Sequence, residues 1–278
     1  MSLEIEITRV IELFELPFMQ RAVIGGALTG LIGGFLGSFT ILRQLSFFSD
    51  ALGHSALLGI SLGLLLEVNP SVVLLPFAVF FALGVGYLLQ RTELWTDALL
   101  NIIYSSSLAI GIIILSFVRR QTGINNLLFG DILAIRQSDI ILSGFLLVGC
   151  ILFIGLTLRT QMLMILHEPL AVARGISVSL HRTLFIVLLS LVVAIAINAV
   201  GVLLVSAFVV IPAAAARLMS SSFIHYIFLS AGLGTVCAVL GVFFSAVFNL
   251  PSGPTIVATQ LGIFLSAIAF SQVRLLTS

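Results

Sequence analysis

The sequence predicts an all-α polytopic transmembrane bundle of eight or nine spans. Three observations carry that expectation. Hydrophobic residues make up 60% of the 278 and charged residues 8%, where soluble domains hold about 25% charged residues. The mean hydropathy is +1.28, more apolar surface than a soluble chain of this length can hide. The apolar runs approach the roughly 20 residues that one helix needs to cross hydrocarbon, too long for barrel strands. The net charge of +1 gives no reason to expect nucleic acid. All twelve basic residues are Arg, so a P-loop lysine is excluded and ATP is not bound and split by that route. Cys150 and Cys237 lie inside apolar runs and read as packing residues, not as a disulfide or a metal site.

The elements follow in order. Residues 1–17 form a leader with Glu4, Glu6, Glu12 and Glu15 and no basic n-region, so no cleaved signal peptide is expected. A short interfacial helix is the alternative there. The first span, 22–42, carries Gly25, Gly26, Gly30, Gly33, Gly34 and Gly37. Small residues at this density allow close helix approach in lipid, and they also allow a break. A second span follows Asp50 and ends at the Glu67-Val68-Asn69-Pro70 turn. The third is 71–89, followed by a polar link with the interfacial Trp95. The fourth is 98–118 and the fifth 140–158, closed by Arg159. Residues 160–182 are the most polar internal segment. The charge-free run 183–216 is long for one span of about 20 residues, and reads best as two helices turning near Asn198 and Gly201. Pro212 is expected to kink the second of them. The span 223–248 is followed by a turn at Pro251 and Gly253, and 255–270 is the last. The whole chain, 1–278, reads as one transmembrane domain. Counting arginines puts Arg43, Arg91, Arg159, Arg174, Arg182, Arg217 and Arg274 on the cytoplasmic side, against Arg119, Arg120 and Arg136 opposite. The N-terminus is then outside and the 160–182 segment inside.

Asp50 and His54 carry the chemistry. Four residues apart in a helix, their side chains share one face. A carboxylate and an imidazole are a ligand pair for a borderline divalent cation. Beside a membrane-length apolar run, an ionisable pair is expensive and points to function. The plain alternative is a helix-start Asp capping the backbone beside an interfacial His. Only a neutral imidazole ligates, so uptake should fall on acidification. Asp97 and Asp131 are weaker candidates, each readable as a cap or turn residue. Pro169 after His167-Glu168 removes a zinc-protease reading. Gly53-His54-Ser55-Ala56 has some likeness to a membrane serine protease nucleophile site.

Several stretches together resemble the permease subunits of ABC importers for zinc, manganese or ferrous iron (the ABC-3 type). They are Pro17-Phe18-Met19-Gln20-Arg21-Ala22, Phe48-Ser49-Asp50-Ala51-Leu52-Gly53-His54-Ser55-Ala56-Leu57-Leu58-Gly59, Leu128-Phe129-Gly130-Asp131-Ile132-Leu133-Ala134, Val200-Gly201-Val202-Leu203-Leu204-Val205-Ser206-Ala207 with Ile211-Pro212-Ala213-Ala214-Ala215-Ala216-Arg217, and Pro251-Ser252-Gly253-Pro254-Thr255-Ile256-Val257. The likeness runs nearly end to end, and is greatest to the zinc-uptake branch. It implies a multi-pass protein of the bacterial cytoplasmic membrane, working as two copies with a cytoplasmic ABC ATPase dimer and a periplasmic or surface metal-binding protein. It implies zinc as cargo, with manganese or ferrous iron as alternatives, and no permanently bound cofactor; ATP acts only through the partner, so the chain is not an enzyme. It also assigns Glu168, Pro169, Leu170, Ala171, Ala173 and Gly175 to a short coupling helix that docks into the ATPase. An intramembrane serine protease and a stand-alone metal carrier are the remote alternatives.

Overall fold

The computed structural model describes residues 14–118, 128, 130 and 132–277. Among them there are helices and no strand. In chain order these are α1 (Pro17–Leu42), α2 (Ser46–Leu65), α3 (Pro70–Arg91), α4 (Thr96–Phe117), a 3-10 turn at Ile132–Ala134, α5 (Gln137–Leu166), α6 (Glu168–Ala173), α7 (Val178–Val200), α8 (Val205–Met219), α9 (Phe223–Phe248) and α10 (Ser252–Thr277). Eight of them, α1 to α5 with α7, α9 and α10, are long and apolar enough to cross a membrane. Helix α8 has 15 residues, about 22 Å at 1.5 Å per residue, which is short of a roughly 30 Å hydrocarbon core.

The contacts divide the chain into two compact units. The first holds Met1–Ile41, Gly123–Gly144 and Ile195–Ser278, and within it α1 packs on α8 and α9 through its glycines. A Cβ added at Gly30 would strike the backbone of Gly234, one at Gly34 the backbone of Ser230, and one at Gly37 the backbone of Val209. This is the small-residue contact that substitutes for hydrophobic driving force in lipid. The glycines do not break α1, which runs unbroken to Leu42; close packing against α8 and α9 holds their backbone in the helix. Four of the sequence stretches meet in one core of this unit, where Met19, Ala22, Ile132, Val200, Phe208 and Ile256 pack together. Gly130 (φ +72°) lies hard against the Val200–Gly201 backbone, Leu203 N–H donates to the Leu128 carbonyl at 3.2 Å, and Ile132 N–H donates to Ser252 Oγ at 3.2 Å.

The second unit holds Leu42–Thr122 and Phe145–Ala194. Here α2 is packed on α4 and α3. Gly111 of α4 lies against the Leu57–Leu58 backbone, and Gly59 lies under the Phe77 ring. Phe48 meets Phe81 edge to face at 5.7 Å.

Several boundaries differ from the sequence expectation. Helix α5 runs to Leu166, so Arg159 lies inside it; Gln161 donates to Thr157 Oγ1 one turn back at 3.0 Å, a polar link that suits continued helix. Asn198 lies in the last turn of α7, and the chain turns instead at Gly201, with φ +93°. Pro212 lies inside α8. After α9 the left-handed residue is Asn249, with φ +53°, while Pro251 precedes α10 and Gly253 is already in its first turn. Asn tolerates that conformation because its short polar side chain bonds locally, so the glycine is not needed there. Of the leader, 1–13 lie outside the described residues, as does Asp131. Cys150 and Cys237 are buried free thiols.

Candidate metal site in the membrane

Gln44 takes a left-handed backbone, φ +57°, which separates α2 from the helix before it. Phe48 N–H donates to the Leu45 carbonyl at 3.0 Å and starts the new helix. Asp50 is then the fifth residue of α2, about 6 Å along its axis. Its carboxylate sits just past the first turn, close to the positive end of the helix dipole.

His54 follows one turn later. Its Nδ1–H donates to the Asp50 main-chain carbonyl at 3.0 Å. A carbonyl only accepts, so that bond puts the proton on Nδ1 and leaves the Nε2 lone pair for a ligand. This is the orienting bond that metal-binding histidines commonly use. The same Nδ1 lies 3.7 Å from Asp50 Oδ1, and the side chains are 32% exposed for Asp50 and 27% for His54. The pair is therefore shielded yet reachable. Tyr104 of α4 stands beside it, its ring 5.5 Å from the imidazole and 5.8 Å from Phe47.

The face of α4 that carries Tyr104 also bears the weaker candidate Asp97 and two polar residues that the sequence reading missed, Asn101 and Ser105. Asp97, Asn101 and Ser105 recur every fourth residue and are all exposed, and Ser105 Oγ donates to Asn101 Oδ1 at 3.3 Å. The signal was present in the sequence: a polar stripe of period four in an apolar span. Asp97 itself lies in the first turn of α4, where a carboxylate complements the helix dipole. Among the described residues no cluster of three or more His, Cys, Asp or Glu is placed to hold a metal. Two candidate donors per chain would make an incomplete shell for zinc or manganese, which take four to six ligands.

The predicted coupling segment forms α6, with Pro169 in its first turn. Gly175 ends it at φ +76°. Gly175 N–H donates to the Val172 carbonyl at 2.9 Å and Ile176 N–H to the Ala171 carbonyl at 3.1 Å, the paired bonds of a Schellman stop. Ala171 is fully buried and packs with Met164, Val178, Leu163 and Ile176. Leu170, Val172 and Ala173 are exposed. Glu168 pairs with Arg182 at 2.8 Å.

Residues 15–271 match the ABC 3 transport family. The chain belongs to that family. Its relatives include the manganese transport system membrane protein MntC of Listeria monocytogenes, 32% identical over 93% of this chain and 92% of the relative. The high-affinity zinc uptake system membrane protein ZnuB of Haemophilus influenzae is 29% identical over 95% of this chain and 100% of its own. The solved structure of PsaBC from Streptococcus pneumoniae in complex with Fab superposes with a TM-score of 0.82 at 32% identity, covering 94% of this chain and 95% of that one. As an ABC 3 member the chain is the multi-pass membrane permease of a metal ABC importer in the bacterial cytoplasmic membrane. ATP hydrolysis belongs to a separate subunit, and the family implies a substrate-binding partner. The serine-protease alternative falls with this. Ser55 Oγ is buried and makes no hydrogen bond, and a nucleophile needs a base within hydrogen-bond reach. A stand-alone carrier falls with the family membership.

Proposed function

We propose that this permease carries a divalent transition metal inward and that Asp50 and His54 are the ligands it offers on the way. The observation that carries the reading is the free Nε2 edge of His54, one turn from a half-buried carboxylate, in a helix otherwise made of apolar and small residues. Loss of hydration is the main obstacle to a cation entering hydrocarbon, and these donors replace part of it. An incomplete ligand set suits transport, because a site that also releases must not hold too tightly.

The exposed stripe of Asp97, Asn101 and Ser105 on α4 supports a second copy of the chain against this face. Polar side chains in a span face protein or water, not lipid. Two copies would double the ligand set and enclose the path. On the cytoplasmic side, α6 would dock in the ATPase through Glu168, Pro169, Leu170, Ala173 and Gly175, with Ala171 anchoring it to the permease. ATP-driven movement of α6 would then switch access across the membrane.

Zinc is the cargo suggested by the sequence resemblance. Manganese is the second reading, favoured by relatives named for manganese transport at 32% identity. One carboxylate and one imidazole suit either ion. The test is elemental analysis of cells that lack their own zinc and manganese importers and express this permease with its ATPase and binding protein. Zinc and manganese are read in the same samples for wild type, Asp50→Ala and His54→Ala. Accumulation of one metal by wild type and its loss in both variants supports the reading. Normal accumulation by the variants, with all subunits assembled, rejects it.

A further inference from the structure

A cavity of about 390 Å³ opens in the second unit. It is walled by the start of α6 and by the connections that precede α2 and α4. Arginine counting assigns all of these to the cytoplasmic side. The cavity lining includes the apolar Leu89, Leu94 and Met164 and the charged Arg43, Arg182 and Glu168. Glu168 is paired with Arg182, which leaves the charge of Arg43 unbalanced among these three.

Arg43 is held in place. Its guanidinium lies 4.3 Å over the Phe185 ring and donates through Nη2 to Gln161 Oε1. Its Nε–H is buried and has no hydrogen-bond partner. Burial first, and the nearby Arg182 second, pull the pKa of Arg43 down to about 10, with Glu168 acting in the opposite sense; it stays cationic at neutral pH. A buried cation with an unused donor is costly unless an anion supplies the acceptor. Trp95, next to Leu94, is 87% exposed, as expected of an aromatic at the headgroup level.

We propose that this cavity binds the phosphate of an anionic phospholipid from the cytoplasmic leaflet. Arg43 and Arg182 meet the phosphate, while Leu89, Leu94 and Met164 meet the glycerol and the first acyl carbons. Basic pockets between helices on this side of a membrane are suited to such headgroups. Because Arg182 also holds Glu168, a bound phosphate shares that guanidinium and ties lipid occupancy to the start of α6. The proposal does not depend on which metal is carried.

The test is native mass spectrometry of the purified permease–ATPase complex, titrated with phosphatidylglycerol and with phosphatidylcholine. Phosphatidylglycerol should be retained about 25-fold more strongly, since each of two guanidiniums favours an anionic headgroup by a factor of about five. Arg43 also packs on Phe185, so Arg182→Gln is the first variant and Leu94→Glu, on the exposed wall, is the second. Each should lower phosphatidylglycerol retention about five-fold or more. Equal retention of the two lipids overturns the proposal, as does retention that neither variant changes. Displacement of the lipid by millimolar inorganic phosphate alone assigns the site to a free anion and overturns the lipid. Loss of ATPase from Arg182→Gln with lipid retention intact assigns the cavity to the protein partner and overturns it too.

Discussion

The imidazole of His54 is held from two sides, by the Asp50 carbonyl through Nδ1 and by the ring of Tyr104. Both contacts aim Nε2 without occupying it. Ligands whose orientation is fixed by neighbours lose about 10–100-fold in function when the neighbour is removed. Tyr104→Ala should therefore lower the initial rate of metal uptake about ten-fold, while Tyr104→Phe, which keeps the ring, should stay near wild type. Equal losses in the two variants would point to the hydroxyl instead. The Asp50/His54 pair was legible in the sequence because its geometry is local: a four-residue spacing in a helix puts two candidate ligands on one face. Tyr104 was not legible, because its place beside His54 depends on how α2 and α4 pack, and no sequence period states that. Asn101 and Ser105 lie between these cases. Their period of four with Asp97 is visible in the sequence, but their exposure is visible only in the fold.

At the scale of elements, α1 shows what glycine density does in lipid. The sequence allowed either close packing or a break, and close packing occurs, because the backbones of α8 and α9 come against Gly30, Gly34 and Gly37. Any side chain at Gly34 must displace the Ser230 backbone. Gly34→Val should cost about 1–3 kcal/mol or more and show as a lower melting temperature and lower yield of folded permease. Gly149→Ala in α5, with nothing within 4 Å of the added Cβ, should be tolerated. Helix α6 offers a second test. It stops at Gly175 with the paired backbone bonds of a Schellman motif. Leu170→Asp places a charge on its exposed side and should abolish co-purification of the ATPase while leaving the permease folded. An intact complex with this variant would remove α6 from the docking surface. The 160–182 segment was less well bounded in the sequence. The end of α5 lies within it, because Arg159 and Gln161 are good helix formers and do not stop a helix.

At the scale of the molecule, the fold class followed from composition and run length; among the described residues eight helices are long and apolar enough to cross a membrane, and α8 is shorter. The meaning of the sequence motifs was less accessible. Four of them, near residues 20, 130, 205 and 255, serve one core in the first unit, where Leu203 N–H bonds the Leu128 carbonyl at the break between α7 and α8 and Ile132 N–H bonds Ser252 Oγ at the start of α10. The stretch from Phe48 to Gly59 carries the two main candidate ligands, Asp50 and His54. The proposed dimer is tested by Ser105→Cys in a chain whose buried Cys150 and Cys237 are replaced by Ala. Mild oxidation in native membranes should give a species of twice the mass. Its absence, with the introduced thiol still free, would place this face against something other than a second copy. The most direct measurement is made in proteoliposomes holding the complete importer with metal-loaded binding protein. It follows metal uptake and ATP hydrolysis together, in wild type and in Asp50→Ala and His54→Ala. If Asp50 and His54 are the ligands of the path, both variants keep hydrolysing ATP while metal uptake falls at least about ten-fold. Uptake that stays coupled to hydrolysis at the wild-type rate would contradict the account and move the path elsewhere.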